Sequence, residues 1–347
     1  MNHQWHYLHG EPECSGRLKA APEDFIVRED LGFLPCGEGE HILLHIRKRG
    51  QNTQWVAREL ARLAGVAQRD VTWAGLKDRH AVTEQWFGVH LPGKTEPDFS
   101  SLENDDVQIL ARARHNKKLK TGALKGNWFE LTVTELSGQE FLASRLAAIA
   151  ARGVPKYFGD QRFGHHFGNL DQARAMFNGR RIKDRNKRSL YLSAARSYLF
   201  NLAASKRLAA GCGEQLLAGD CLMLAGTQSF FTLNEDNPLD DAMQARFAEG
   251  DVRISSPMWG RGRLPSEDSA AELELSALSE QEDLCQGLEA NGLKQERRAL
   301  LLKPLDMSWQ LEQDRLRLSF WLPAGSYATS LVRELVKDEQ ANEDIGE

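Results

Sequence analysis

Apolar residues alternate with polar ones at Ile42, Leu44 and Ile46, opposite Leu43, His45 and Arg47, a period of two that predicts a strand closed by the turn at Arg49-Gly50. From residue 53 to 64 the spacing becomes helical, with Val56, Leu60 and Leu63 on one stripe and Gly65 as the stop. A strand is expected at Val71 to Trp73, a turn at Gly75, and a further strand whose face carries Phe87, Val89 and Leu91. Phe129, Leu131 and Val133 against Glu130, Thr132 and Thr134 give the cleanest half-buried strand pattern. A helix with Leu142, Leu146 and Ile149 stops near Gly153. Then the character changes. Residues 155–188 are rich in Gly, Arg and aromatics, 193–210 reads as a helix ending at Gly211, and 234–270 has no clear period. Ser279 with Glu282 predicts a capping box. Alternation returns at Leu316, Leu318, Phe320 and Leu322, and Pro323-Ala324-Gly325 turns the chain into a last helix with Leu331, Leu335 and Val336 inward. This order predicts an α+β domain interrupted by an inserted second domain.

The length of 347 residues suits about two domains. No run of 18 apolar residues occurs, and Met1 to Gly10 is polar, so neither membrane spanning nor secretion is expected. Cys14, Cys36, Cys212, Cys221 and Cys285 are scattered without a C-x-x-C pair. That argues against a disulfide framework or a thiolate zinc site and points to a reducing, cytoplasmic compartment. A net charge of −5 at first speaks against a polyanionic partner. The charge is unevenly spread, however. Arg112, Arg114, Lys117, Lys118, Lys120 and Lys125 form a run without an acid, and Arg174, Arg180, Arg181, Lys183, Arg185, Lys187 and Arg188 form another diluted only by Asp184, while acids collect between Glu267 and Glu289. Such separation suits phosphate contact on one face; the alternative is two solvated loops.

Signatures for nucleotide phosphates, zinc proteases and serine hydrolases are absent. His3, His6 and His9 are evenly spaced but lack suitable partners, His41 and His45 read as surface residues, and His165-His166 sits among basic residues, so no metal is expected. One segment is different: Ala74-Gly75-Leu76-Lys77-Asp78-Arg79-His80, in a glycine-started turn between two predicted strands. A carboxylate exposed at a sheet end and ringed by Lys77, Arg79 and His80 stays ionised and is available as a nucleophile. A solvated charge cluster is the alternative.

Gly75-Leu76-Lys77-Asp78-Arg79-His80-Ala81-Val82-Thr83-Glu84-Gln85-Trp86 closely resembles the nucleophile motif of the TruD family of tRNA pseudouridine synthases. Ala21-Pro22-Glu23-Asp24-Phe25, Gly126-Asn127-Trp128-Phe129 and Tyr157-Phe158-Gly159-Asp160-Gln161-Arg162-Phe163-Gly164 resemble further family elements. Arg185-Asn186-Lys187-Arg188, Leu192-Ser193-Ala194-Ala195-Arg196-Ser197 and Trp321-Leu322-Pro323-Ala324-Gly325-Ser326-Tyr327-Ala328-Thr329-Ser330 follow in order.

The resemblance implies a catalytic pseudouridine-synthase domain at 1–152 and 302–347, with a mixed, mainly antiparallel sheet flanked by helices, interrupted by an inserted α/β TRUD domain at 153–301. It implies isomerisation of uridine 13 in tRNA by a monomer, without cofactor, since the reaction conserves every atom of its substrate. Asp78 would be the nucleophile and Lys19 its basic partner, with Arg79 a local competitor. Phe25, Asn127, Phe129 and Tyr327 match positions at the uridine site, although Phe129 lies on the apolar face of its strand, where core packing is the alternative. Tyr327 departs from the Phe that some relatives carry. Lys117, Lys118 and Lys120, with Arg185, Lys187 and Arg188, would contact the RNA backbone, one group in each domain. A non-catalytic tRNA-binding protein, which has no need of Asp78, and a nucleoside hydrolase are the competing readings.

Overall fold

The computed structural model describes residues 5–93 and 95–338. In chain order come β1 (Ser15–Leu18), β2 (Phe25–Asp30), β3 (His41–Arg49), α1 (Thr53–Ala64), β4 (Val71–Trp73), β5 (Val82–His90), β6 (Val107–His115), β7 (Gly126–Ser137) and α2 (Leu142–Arg152). The middle holds β8 (Val154–Pro155), α3 (Gly168–Phe177), α4 (Arg185–Ala209), β9 (Cys221–Leu224), β10 (Phe230–Thr232), α5 (Asp241–Glu249), β11 (Val252–Met258), α6 (Asp268–Leu278), α7 (Glu282–Ala290), β12 (Glu296–Ala299) and β13 (Leu301–Leu302). Then follow β14 (Leu305–Leu311), β15 (Leu316–Pro323), α8 (Ala328–Leu335) and β16 (Lys337–Asp338).

The chain gathers into two compact units. One comprises Pro12–Ala150, Pro304–Ala328 and residues 335–338; the other comprises residues 5–11, Ala151–Lys303 and Thr329–Glu334. Residues 5–11 and 329–334, expected with the catalytic domain, group with the middle stretch, where His6 N–H donates to Ser205 Oγ at 2.9 Å and the Tyr157 hydroxyl donates to His6 O at 3.0 Å. The backbone N–H groups of Leu8 and His9 donate to the buried Glu334 carboxylate at 3.2 and 3.1 Å, and the Arg333 guanidinium lies 3.7 Å from the centre of the Tyr7 ring. A buried carboxylate must find donors, and these two amides supply them.

The first unit is built on one sheet in the order β14-β15-β7-β2-β5-β3-β6, with β1 and β4 pairing β7 and β5 at its margins and β16 pairing β1. The β2–β5 and β1–β16 pairs are parallel and the others antiparallel, which is the mixed, mainly antiparallel sheet expected. Residues directly opposite one another share a face. The registers therefore put Lys48, Thr83, Val27, Phe129 and Phe320 in one row across five strands, and Asn127 opposite Glu29 in the next.

Helix α1 covers part of that face. Asn52 caps it by accepting from Gln54 N–H at 2.8 Å, and Gly65 ends it in the left-handed region at φ 59°. Val56, Ala57, Leu60 and Ala61 pack on Ile42, Leu44, Ile46, Phe87 and Val89. Full burial of each large aliphatic side chain contributes about 1.5–3 kcal/mol.

In the second unit β10-β9-β11-β12 form an antiparallel sheet packed with helices, and β8 pairs β13. Three expectations change here. Helix α4 begins at Arg185, not 193, because Asp184 caps it by accepting from Asn186 and Lys187 N–H. The segment 234–270, which shows no period, contains α5 and β11. A helix does start at Glu282, but the expected capping box is not made: Gln281 is the N-cap without a side-chain bond, and Ser279 Oγ donates to Ser276 O at 3.1 Å instead.

Candidate active site

The loop from Ala74 to Ala81 joins β4 to β5 and presents Asp78 at the sheet end. Its backbone is clamped at successive points. Gln85 Nε2 donates to Gly75 O at 2.5 Å, Lys77 N–H donates to Thr53 Oγ1 at 3.2 Å, and Lys48 Nζ donates to Asp78 O at 3.3 Å and to Gln51 O at 2.8 Å. Thr53 Oγ1 in turn donates to Gln85 Oε1 at 3.0 Å. Lys48, Thr53 and Gln85 are buried, so these bonds are shielded from water and hold the loop in one conformation.

Asp78 pairs with Lys19, and its other oxygen accepts from His80 N–H at 2.9 Å. The two side chains are 30% and 22% exposed, open enough to meet a ligand and covered enough to feel each other strongly. Burial alone pushes the Asp78 carboxyl up. The Lys19 hydrogen bond, the His80 N–H and the charges of both residues outweigh it and hold the carboxyl below its ordinary value. Arg79, the local alternative to Lys19, is exposed and donates to Gly50 O at 3.3 Å. Lys19 follows β1 with φ at +59°, a left-handed conformation that costs a non-glycine residue about 1–3 kcal/mol. Its ammonium also lies 4.3 Å from the centre of the Phe25 ring.

Phe25 enters β2 from a short 3-10 turn at Pro22–Asp24, closed by Ala21 N–H donating to Asp24 Oδ2 at 2.8 Å. Its ring meets Phe129 edge-on at 6.3 Å, and Phe129 stacks on Phe320 at 5.4 Å. Both Phe25 and Phe129 are buried. Asn127 shares their face of the sheet, half-buried, and its side-chain oxygen is shielded from solvent without a hydrogen-bond partner. Gly126 before it is required, because a Cβ there would come within 2.2 Å of the Trp321 ring. Tyr327 is half-buried in the turn between β15 and α8, after Gly325 at φ 76°.

Sequence reasoning missed a second layer. Lys77, counted as one of the charges around Asp78, pairs instead with Glu29, whose carboxylate also accepts from Trp86 N–H at 2.7 Å. Burial pushes the Glu29 carboxyl up, against the pull of Lys77. Lys48 is pushed down to about 8, first by burial and then by Lys77, against Asp78 and Glu29.

One group of RNA-contact candidates lies in each unit. Lys117, Lys118 and Lys120 are exposed beyond β6 in the first unit. Arg185, Lys187 and Arg188 are exposed on the first turn of α4 in the second unit, where Arg180, Arg181, Lys183, Arg185 and Arg188 line a cavity of about 520 Å³. His41 and His45, expected at the surface, are half-buried, stacked on His90 and Trp86 at 4.6 Å each. Both ring nitrogens of His9 are engaged, by Gly153 O and Arg152, and His3 lies outside the described residues. Among the described residues no group of three His, Cys, Asp or Glu could hold a metal ion, and no helix is long and apolar enough to cross a membrane.

A family model for tRNA pseudouridine synthase D (TruD) matches residues 3–170 and 171–335. The chain is 60% identical over 342 residues to the tRNA pseudouridine synthase D of Aeromonas hydrophila subsp. hydrophila, covering 99% of this chain and 96% of that one. It is 48% identical to the protein of the same name from Colwellia psychrerythraea, covering 95% and 92%. The fold is similar to a crystal structure of a putative tRNA pseudouridine synthase D from Methanosarcina mazei, with a TM-score of 0.73, 22% identity and 95% of each chain covered.

Proposed function

Because the chain belongs to the tRNA pseudouridine synthase D (TruD) family, we propose that it isomerises uridine 13 of tRNA to pseudouridine with Asp78 as nucleophile and no cofactor. The reaction breaks the N1–C1′ bond of the nucleotide and makes a C5–C1′ bond. The hydrogen on C5 leaves as a proton and N1 gains one, so no oxidant, reductant or phosphoryl donor is consumed. The observation that carries this reading is the half-open Asp78–Lys19 pair on an immobilised loop, with the Phe25 ring beneath the lysine. A carboxylate held ionised and fixed in place is what nucleophilic detachment of the base requires.

The target must leave its stack to be reached, at a cost of about a few kcal/mol. A stacked aromatic face returns roughly 1–3 kcal/mol, which the half-buried Tyr327 would offer, whereas Phe25 and Phe129 are buried, Phe25 beneath Lys19 and Phe129 on Phe320. The unpartnered oxygen of Asn127 is an acceptor suited to the N3–H of uracil, which would satisfy an otherwise costly buried group. Lys117, Lys118, Lys120, Arg185, Lys187 and Arg188 would neutralise backbone phosphates and bring tRNA to the chain. The test is chemical mapping of pseudouridine in unmodified tRNA after incubation with the protein alone and no added cofactor. Conversion at position 13 supports the reading; recovery of unmodified tRNA at enzyme excess overturns it.

A further inference from the structure

The segment Tyr157 to Gly164 plays no part in the chemistry above, yet it begins beside an unusual concentration of positive charge. Lys156 leaves β8, and its N–H donates to Leu300 O at 2.8 Å, while Leu300 N–H donates to Ile254 O at 2.9 Å. This chain of backbone bonds draws together β11, the end of β12 and the start of the segment. Arg298 on β12 donates from Nη2 to Lys156 O at 3.4 Å, and Arg253 on β11 lies near enough for Lys156 to feel its charge. The Arg298 guanidinium lies over the Phe158 ring, 4.1 Å from its centre, with that of Arg162 5.6 Å from the same ring.

The acids nearby are engaged elsewhere. Glu274 is taken by the buried Arg297 at 2.5 Å and Glu296 by Arg196 at 3.1 Å. Asp160, four residues along, is held above the usual carboxyl range by burial, and the charge it feels is Arg333. Among the described residues Lys156 and Arg253 make no ion pair. Lys156 is half-buried and is pushed down to about 8, first by burial, then by Arg298 and Arg253, with no carboxylate opposing the shift. A lysine gathered in with two arginines destabilises the fold by desolvation and like-charge repulsion, and an anion bound there would reverse both. The buried pair Arg297–Glu274 beside it shows how this unit treats a cation that serves the fold: it supplies the counter-charge internally.

We propose that Lys156, with Arg253 and Arg298 around it and Phe158 as the floor that orients the guanidinium, is a binding site for a phosphate group. The site deepens the reading of the chain as a tRNA-modifying enzyme and rests on it for the source of the phosphate, an RNA backbone phosphodiester. The same chemistry would take free inorganic phosphate.

Lys156→Met keeps the length of the side chain and removes the charge. Without ligand it should melt higher than wild type, because the uncompensated charge is gone. Its affinity for tRNA should fall about tenfold, and the slope of log affinity against log salt should become shallower by about one. Arg253→Ala, at an exposed position, should weaken tRNA in the same direction and serves if the Met variant does not fold. Titrating inorganic phosphate into the free wild-type protein separates the sources. A rise in melting temperature that Lys156→Met and Arg253→Ala abolish shows that the site takes phosphate whatever supplies it, even should the wild type fail to modify tRNA. Unchanged tRNA affinity and salt slope in both variants, with no phosphate effect on wild type, overturns the site.

Discussion

Replacing Lys19 by Met should move the acid limb of the rate profile into the measurable range. Asp78 reacts as the carboxylate, so the rate falls as pH drops through its pKa. In the wild type that pKa lies below the ordinary carboxyl value of 3.8, and turnover should be level from about pH 5 to 8 on this account. The pair is in contact, with both partners less than a third exposed, and an opposite charge at such range lowers a carboxyl by about 1–3 units, or about 1.4–4 kcal/mol. Lys19→Met leaves burial with only the His80 N–H and charge against it. The inflection should then rise toward or above the ordinary carboxyl value, while Lys19→Arg, which keeps the charge, should leave it low. The same pair contributes stability that is present above the unfolded carboxyl pKa of about 3.9 and is lost as pH falls through the lowered folded value. Single-turnover kcat/KM from pH 5 to 8 is the assay. A Lys19→Met profile as flat and as high as the wild type would refute the pairing as the device that keeps Asp78 ionised.

Three further outcomes are expected. Lys48 has a folded pKa of about 8 against 10.5 unfolded, so wild-type stability should rise between about pH 8 and 10 as the folded chain sheds a proton that the unfolded chain keeps, by at most ~3 kcal/mol; Lys48→Met should lose that rise in urea midpoints, and identical pH dependence would contradict it. Lys117→Ala with Lys118→Ala should make the salt slope of tRNA binding shallower by about one to two units, and an unchanged slope would place both outside the interface. Tyr327→Phe should keep most activity and Tyr327→Ala lose about 1–3 kcal/mol of stacking, whereas early melting with a normal rate in the folded fraction would assign the ring to the core.

Strands β3, β4, β5, β7 and β15 of the first unit were legible, most clearly where a period of two survives in Phe129, Leu131 and Val133, whereas β1, β2, β6, β14 and β16 were not read. Helix α1 was legible for the matching reason at 3.6 residues, with its cap and stop in place. The missed elements α5 and β11 lie in a segment where turns and acids interrupt any window long enough to show a period. The capping box failed because the same two residue types at the same spacing were met by a competing local acceptor, Ser276 O. The support around Asp78 was missed although it left a trace. Lys48 continues the phase of Ile42, Leu44 and Ile46, Gln85 that of Phe87 and Val89, and Glu29 that of Phe25 and Val27. A polar residue in an apolar phase must find a partner inside, and three such residues on neighbouring strands mark a buried polar site. The pairing of those strands is what sequence alone does not supply.

Asp78 carries the account, and Asp78→Asn tests it with the least disturbance, since the amide keeps the shape and most hydrogen bonds while removing the nucleophilic charge. Tritium release from [5-³H]uridine-labelled tRNA, followed in a single turnover, reads loss of hydrogen from C5 and nothing else. The variant should bind tRNA within about tenfold of wild type, roughly 1.4 kcal/mol, and release no tritium. Release near the wild-type rate would remove Asp78 from the mechanism, and absence of release from the wild type itself would leave a tRNA-binding protein in place of an enzyme.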